Sequence, residues 1–178
     1  MSAFNIETKD VYIRKIKKSD FNDIKEYLQD EYVCRFFDHG VLTDERIKEL
    51  IRDEDIKYGI IDKLTDKLIG HFIYNHWFMV DTFEVGWVLN KKYHNKKIVT
   101  NLAKEFLKFA FEKDKAHRII ATCQPENIAS KKVCENIGLR LEGTFKKCIY
   151  VKRKDEWWDE LFYAMLNKEY LGGNDGNN

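Results

Sequence analysis

Near Lys57 the apolar residues of this chain stop recurring at helical spacing and begin to alternate. Before that point Ser19 and Asp20 offer a cap to an amphipathic helix carrying Phe21, Ile24, Tyr27 and Leu28. Thr43 caps a second helix with Ile47, Leu50 and Ile51 on one face. An alternating stretch at 11–16 precedes both helices, and an apolar connector at 32–37 joins them. After Lys57, the segments 58–62, 68–78 and 83–89 read as strands joined by short links. Such links suit antiparallel neighbours, because a parallel return needs a long crossover. A long helix through Leu102, Phe106, Leu107, Phe109, Ala110 and Phe111 follows. It leads to a strand at 118–123, a helix at 127–137 ended by Gly138, and strands at 139–151 and 157–166. This order predicts an α/β (α+β) fold: a mixed, mostly antiparallel central sheet of about seven strands flanked by about four helices.

Hydrophobic residues make up 44% of the chain and aromatic ones 14%, enough apolar surface for one core, so residues 1–171 are expected to form a single domain. The Gly- and Asn-rich end at 172–178 has nothing to bury and is expected to be mobile. Pro125 marks a rigid turn between a strand and a helix. Charge is nearly balanced, 31 Lys and Arg against 30 Asp and Glu, which gives no overall field to attract nucleic acid or an anionic membrane. No apolar run reaches the roughly 18 residues of a membrane span, and the first residues lack the layout of a signal peptide, so a cytoplasmic location is expected. Cys34, Cys123, Cys134 and Cys148 form no CxxC pair and have no histidine at metal-ligand spacing. They read as reduced structural thiols, and no metal site is expected.

The most specific pattern lies at 117–143. It comprises His117, Arg118, Ile119 and Ala121, then Pro125, Glu126, Asn127, Ala129 and Ser130, and finally Val133, Gly138, Glu142 and Gly143. This resembles the RimJ/RimL-like branch of the GNAT superfamily of N-acetyltransferases. Glu84, Gly86 and Trp87, followed by Tyr93 and a long helix, resemble the family's cofactor strand and loop, and 156–160 resembles its closing strand. The likeness covers roughly residues 9–167, so it does not rest on one short motif.

The resemblance implies acetyl-coenzyme A as cofactor and a primary amine as acceptor, with direct attack on the thioester. It implies a V-shaped splay between two central strands that receives the pantetheine arm, opened by a bulge at Gly86; taken alone, that glycine would merely give room to a neighbouring aromatic ring. Backbone groups near Trp87, Val88 and Leu89 would then meet the pantetheine and the thioester. The diphosphate would sit on the loop and helix start formed by His94, Asn95, Lys96, Lys97, Ile98, Val99 and Thr100. Asn127 and Ser130 would face the pantetheine and the sulfur, with Ser130 as proton donor or hydrogen-bond partner to the leaving thiolate.

The loop departs from the family's Q/R-x-x-G-x-G/A form. His94, Lys97 and Val99 occupy its defining positions, and Asn95 stands where the branch often has another glycine. Glycine there permits positive φ and close backbone approach. Two outcomes follow. Either Lys96 and Lys97 meet the phosphates by charge, or the loop holds coenzyme A poorly and the domain is a non-catalytic binding or regulatory module. The intact remainder of the pattern favours the first.

Acetyl transfer to an amine needs a neutral amine, a stabilised oxyanion and a proton for the thiolate. Glu84 is the candidate general base and Ser130 the candidate acid. Outside the family context, Glu84 reads as an exposed strand carboxylate or one in a salt bridge, and Asn127 as a helix N-cap. Candidates for an aromatic acceptor wall are Phe36, Phe37, Trp77, Trp157 and Trp158, with Asp159 or Glu160 to attract a cationic amine. The same aromatics would serve a core or a homodimer surface. The branch acts on protein N-termini, aminoglycosides, polyamines and other small amines, and the resemblance does not choose among them.

Overall fold

The structure is a computed structural model that describes residues 6–54 and 57–174. Seven strands form one sheet: β1 (Val11–Lys15), β2 (Tyr58–Asp62), β3 (Leu68–His76), β4 (Thr82–Leu89), β5 (Arg118–Cys123), β6 (Arg140–Val151) and β7 (Glu156–Leu166). Their order is β1-β2-β3-β4-β5-β7-β6. Every neighbouring pair is antiparallel except β4 and β5, which run parallel. The helices are α1 (Phe21–Leu28), α2 (Asp44–Arg52), α3 (Ile98–Lys108), α4 (Ile128–Asn136) and α5 (Asn167–Asn174).

Alternation along the strands gives the sheet two apolar faces. On one, Ile24, Tyr27, Leu28 and Ile47 from α1 and α2 pack on Ile61, Leu68 and Val88. On the other, Leu102 and Phe106 from α3 and Cys134 from α4 pack on Phe72, Phe83, Val85, Ala121 and Tyr163. Local signals set the helix ends. Thr43 accepts the Arg46 N–H at 3.2 Å at the start of α2. Gly138, at φ +87°, follows α4; its N–H donates to Glu135 O at 3.0 Å, and the Leu139 N–H to Cys134 O at 3.0 Å. These two bonds satisfy carbonyls that the helix end leaves open.

Several expectations change. The Asp20 carboxylate does not cap α1; it grips Arg14 at 2.7 and 2.9 Å and accepts the Lys17 N–H at 2.7 Å, so it ties the end of β1 to the start of α1. β3 stops at His76, which leaves Trp77 in the turn before β4. α3 ends at Lys108 and continues as a wider turn, Phe109–Lys113. Residues 172–174 of the expected mobile end close α5, and 175–178 lie outside the described residues.

His71 of β3 is buried against α1, its Nδ1 2.8 Å from the Tyr27 hydroxyl. Burial pushes its pKa from 6.5 down to about 4. The unfolded chain therefore takes up this proton before the folded one does. Stability present above pH 6.5 is lost as the pH falls toward 4, by about 3 kcal/mol. Urea unfolding between pH 7 and 4, with the imidazole followed by NMR, checks this; titration of His71 near its ordinary value would contradict it.

The central feature is where β4 and β5 stop pairing. Thr82 pairs with Arg118, Phe83 with Ile119 and Glu84 with Ile120. β4 then stays with β3 as far as the Leu89–Gly70 pair, while β5 stays with β7 as far as Cys123 and Leu161. Each strand keeps its outer partner, so the sheet parts between them. The β3–β4 ladder runs through the Gly86–Ile73 pair without a register shift, which corrects the expected bulge. A Cβ on Gly86 would come 3.3 Å from Ile73 Cδ1, so the glycine gives room to an isoleucine across the ladder rather than to an aromatic ring.

Candidate active site

Backbone alternation shows what faces the opening. The Trp77 N–H donates to Thr82 O and the Asn90 N–H to Ile69 O, both at 2.8 Å, so even-numbered residues of β4 bond to β3. The peptide groups of Val85, Trp87 and Leu89 turn the other way, toward β5. Past Glu84 that side holds the opening, so the Trp87 N–H faces into it. The Val88 peptide is turned to β3 instead, and Val88 meets the cleft through its side chain. The Leu89 carbonyl is taken, because His94 Nε2 donates to it at 2.9 Å. His94 therefore anchors the loop to the strand.

A cleft of about 380 Å³ opens here, lined by Trp87, Val88, Leu89, residues 93–100, Asn127 and Ser130, with Phe36 and Phe37 above. Asn95 has φ +61° and Lys97 φ +57°. Both thus hold the left-handed conformation that glycine adopts freely and a lysine does not. The left-handed backbone that glycine would permit is present at two of these positions without glycine. Lys97 directly precedes the first turn of α3, where the N–H groups of Ile98, Val99 and Thr100 lack partners within the helix and carry its positive end. These groups fit a diphosphate. The Lys96 ammonium lies 5.2 Å from the Tyr93 ring centre.

Across the opening, Asn127 Oδ1 accepts the Ser130 N–H at 3.2 Å and caps α4. The Asn127 amide nitrogen is left for the cleft. Cys134, further along α4, holds its proton because Cys123 beside it and burial both push its pKa up, and burial raises Cys34 to about 12. Neither is a reactive thiolate.

The acceptor side lies on the α1/α2 face. Register puts Asn75, Glu84 and Ile120 on one face, and Thr122 with Phe162 on the same face. Glu160, two residues before Phe162, shares it. Burial raises the pKa of Glu84, and the charge of Glu160 raises it further. Burial also raises Glu160, against a hydrogen bond from Thr122 that lowers it. Trp77 stands edge-on to Phe162 with centres 6.3 Å apart, and Phe145 lies 5.4 Å from Phe162.

The domain family described as acetyltransferase (GNAT) domain matches residues 10–140. The chain belongs to the GNAT family. It is 41% identical over 170 residues to an uncharacterized N-acetyltransferase, YnaD, of Bacillus subtilis, covering 93% of this chain and 99% of that one. A GNAT acetyltransferase from Bacillus anthracis superposes with a TM-score of 0.87 at 39% identity, over 93% of this chain and all of that one. Ribosomal-protein-S5-alanine acetyltransferase from Vibrio fischeri gives 0.75 at 25% identity, over 93% and 98%. This GNAT protein is an acyltransferase enzyme, and no helix among its described residues is long and apolar enough to cross a membrane.

Of the expected acceptor residues, Asp159 and Trp157 lie on the face away from Glu84, whereas Trp158 shares the face of Glu160 nearer the start of β7. Asp159 accepts the Lys147 N–H at 2.9 Å and Lys146 Nζ at 2.8 Å, where β6 slips register between Phe145 and Ile149. Its carboxylate pins that irregularity. Trp157 is 51% exposed and lies beside Tyr150, 5.1 Å away, on the opposite face from Glu160. Trp158 donates to Glu156 at 2.6 Å and lies under Arg153 and Lys154. Arg153 also donates to the carbonyls of Arg35 and Phe37, both at 3.2 Å, and so fixes the connector that roofs the cleft. Sequence reading offered Glu160 merely as an alternative to Asp159 and passed over Thr122 and Phe162. Alternation along the last strand held the signal, but a register was needed to say which face is which.

Proposed function

We propose that this GNAT enzyme transfers the acetyl group of acetyl-coenzyme A to a primary amine by direct attack on the thioester, as a cytoplasmic, RimJ/RimL-like enzyme whose residues 1–171 act as one domain. The carrying observation is the parting of β4 and β5 beyond Glu84, continuous with the start of α3 in a single cleft. The likeness to the S5-alanine acetyltransferase supports the branch.

The cofactor, when bound, supplies the activated acyl group. The turn at Asn95 and Lys97 and the first N–H groups of α3 hold its diphosphate. The Trp87 N–H meets the negative charge that develops on the acyl oxygen. Glu84, beside the last β4–β5 pair, takes the proton of the attacking amine directly or through water, and its raised pKa suits that task. The Ser130 hydroxyl, on the α4 side of the cleft, delivers a proton to the leaving sulfur.

Calorimetry with acetyl-coenzyme A tests the first requirement: no binding at millimolar ligand ends this reading. Lys97→Gly gives a second measure. Left-handed lysine costs about 1–2 kcal/mol, and glycine returns about 0.5–1 kcal/mol of that as chain entropy. The variant should therefore be about 0.5–1 kcal/mol more stable. Losing the ammonium should nevertheless weaken the cofactor about tenfold, the worth of one charge-assisted contact. Unchanged affinity would remove Lys97 from phosphate binding.

A further inference from the structure

We propose, resting on the acetyl-transfer reading above, that Glu160 selects the acceptor and that the acceptor is a dicationic amine, one nitrogen reacting beside Glu84 while a second, permanently protonated group rests against Glu160.

The sheet puts the two carboxylates on one face. Glu84 pairs with Asn75 on β3 and with Ile120 on β5. Glu160 lies on the same face from β7, two residues before Phe162, which pairs with Thr122 of β5. Around Glu84 that face carries Asn75, Trp77, Ile120, Thr122, Phe162 and the charged groups Arg118 and Glu160; Arg118, two residues before Ile120, is paired with Glu142. α1 and α2 do not cover this part of the sheet: Asn75 is exposed and Phe145 is 51% exposed. Neither Glu84 nor Glu160 has an ion-pair partner among the described residues, whereas the adjacent Asp159 has Lys146 and Lys147.

The chemistry asks for two charges. During transfer the amine nitrogen forms a bond to the acyl carbon and the carbon–sulfur bond breaks. Glu84 takes the amine proton, and the thiolate leaves with a proton through Ser130. A base that must accept this proton cannot also be the standing counter-ion of an ammonium. Burial raises the pKa of Glu160 against the smaller lowering by Thr122, so its ionised form stands half-buried at a cost that a bound cation relieves. The charge of Glu160 adds to burial in raising the pKa of Glu84. Trp77, Phe162 and Phe145 form an aromatic cluster next to Glu160, and aromatic rings attract cations.

Butylamine and diaminobutane, titrated by calorimetry into the full chain with and without coenzyme A, form the test. Wild type should bind the diamine about tenfold more tightly than the monoamine. Glu160→Gln should bind the two alike, with the monoamine within about twofold of wild type, and Glu160→Asp should keep part of the preference. In thiol release with acetyl-coenzyme A, Glu160→Gln should also move the acid limb of the rate profile to lower pH, because Glu84 then ionises without a neighbouring charge. Equal binding of both amines by wild type, or a diamine preference that survives Glu160→Gln, overturns the proposal. A diamine held through Glu160 that releases no thiol would instead sink the acetyl-transfer reading and leave the cation site standing.

Discussion

Glu84→Gln lowers kcat by about 10² to 10⁴, the usual worth of a positioned general base, and leaves acetyl-coenzyme A affinity within about twofold of wild type. The amide has the shape of the carboxyl but accepts no proton at neutral pH. Affinity is spared because Glu84 lies at the last β4–β5 pair, whereas the cofactor cleft is walled by residues beyond it. In wild type the rate rises with pH as Glu84 ionises, at a pH above the ordinary carboxylate range because burial and Glu160 hold the proton on. That limb disappears in the variant. Stability should move the other way. A carboxyl whose folded pKa is raised contributes stability at low pH that is lost as the pH rises, so removing its charge makes the variant more resistant to urea near neutrality. Turnover within about threefold of wild type would strike Glu84 from the mechanism.

Phe106→Ala costs about 3–5 kcal/mol of folding stability. Phe106 is fully buried and lies flat on Phe72, ring centres 3.7 Å apart. Phe72 in turn meets Trp87 at 6.2 Å. The ring joins α3 to the middle of the sheet directly behind the opening, so its loss leaves a cavity between the helix that begins at the phosphate loop and the strand that faces the thioester. Chemical unfolding measures the loss, and cofactor affinity should fall with it. A variant within about 1 kcal/mol of wild type would show that neighbouring side chains close the cavity.

Much of this fold was legible in apolar spacing. The change of period at Lys57 separated the first helices from the strands, and Thr43 and Gly138 stand at helix ends as their chemistry requires. The residues that the family pattern assigned to the cofactor line one cleft, because they follow one another along two short segments, each in a regular element or at its start. The altered loop was visible as a loss of glycine. That its backbone keeps the glycine shape was not, since φ at Asn95 and Lys97 is imposed by where β4 ends and α3 must begin.

Sequence alone determined what adjacent residues decide: the period of each element, its caps, and the absence of glycine at the helix start. Tertiary structure decided what depends on two distant segments at once. The opening follows from β4 and β5 keeping their outer neighbours after Glu84 and Ile120, not from Gly86. Asp159 and Glu160 are neighbours of like chemistry, yet a slip in β6 claims the first and leaves the second on the face that carries Glu84. Successive strand residues point to opposite faces, so one position of register, set by a partner strand far along the chain, separates a structural carboxylate from one free to meet a substrate.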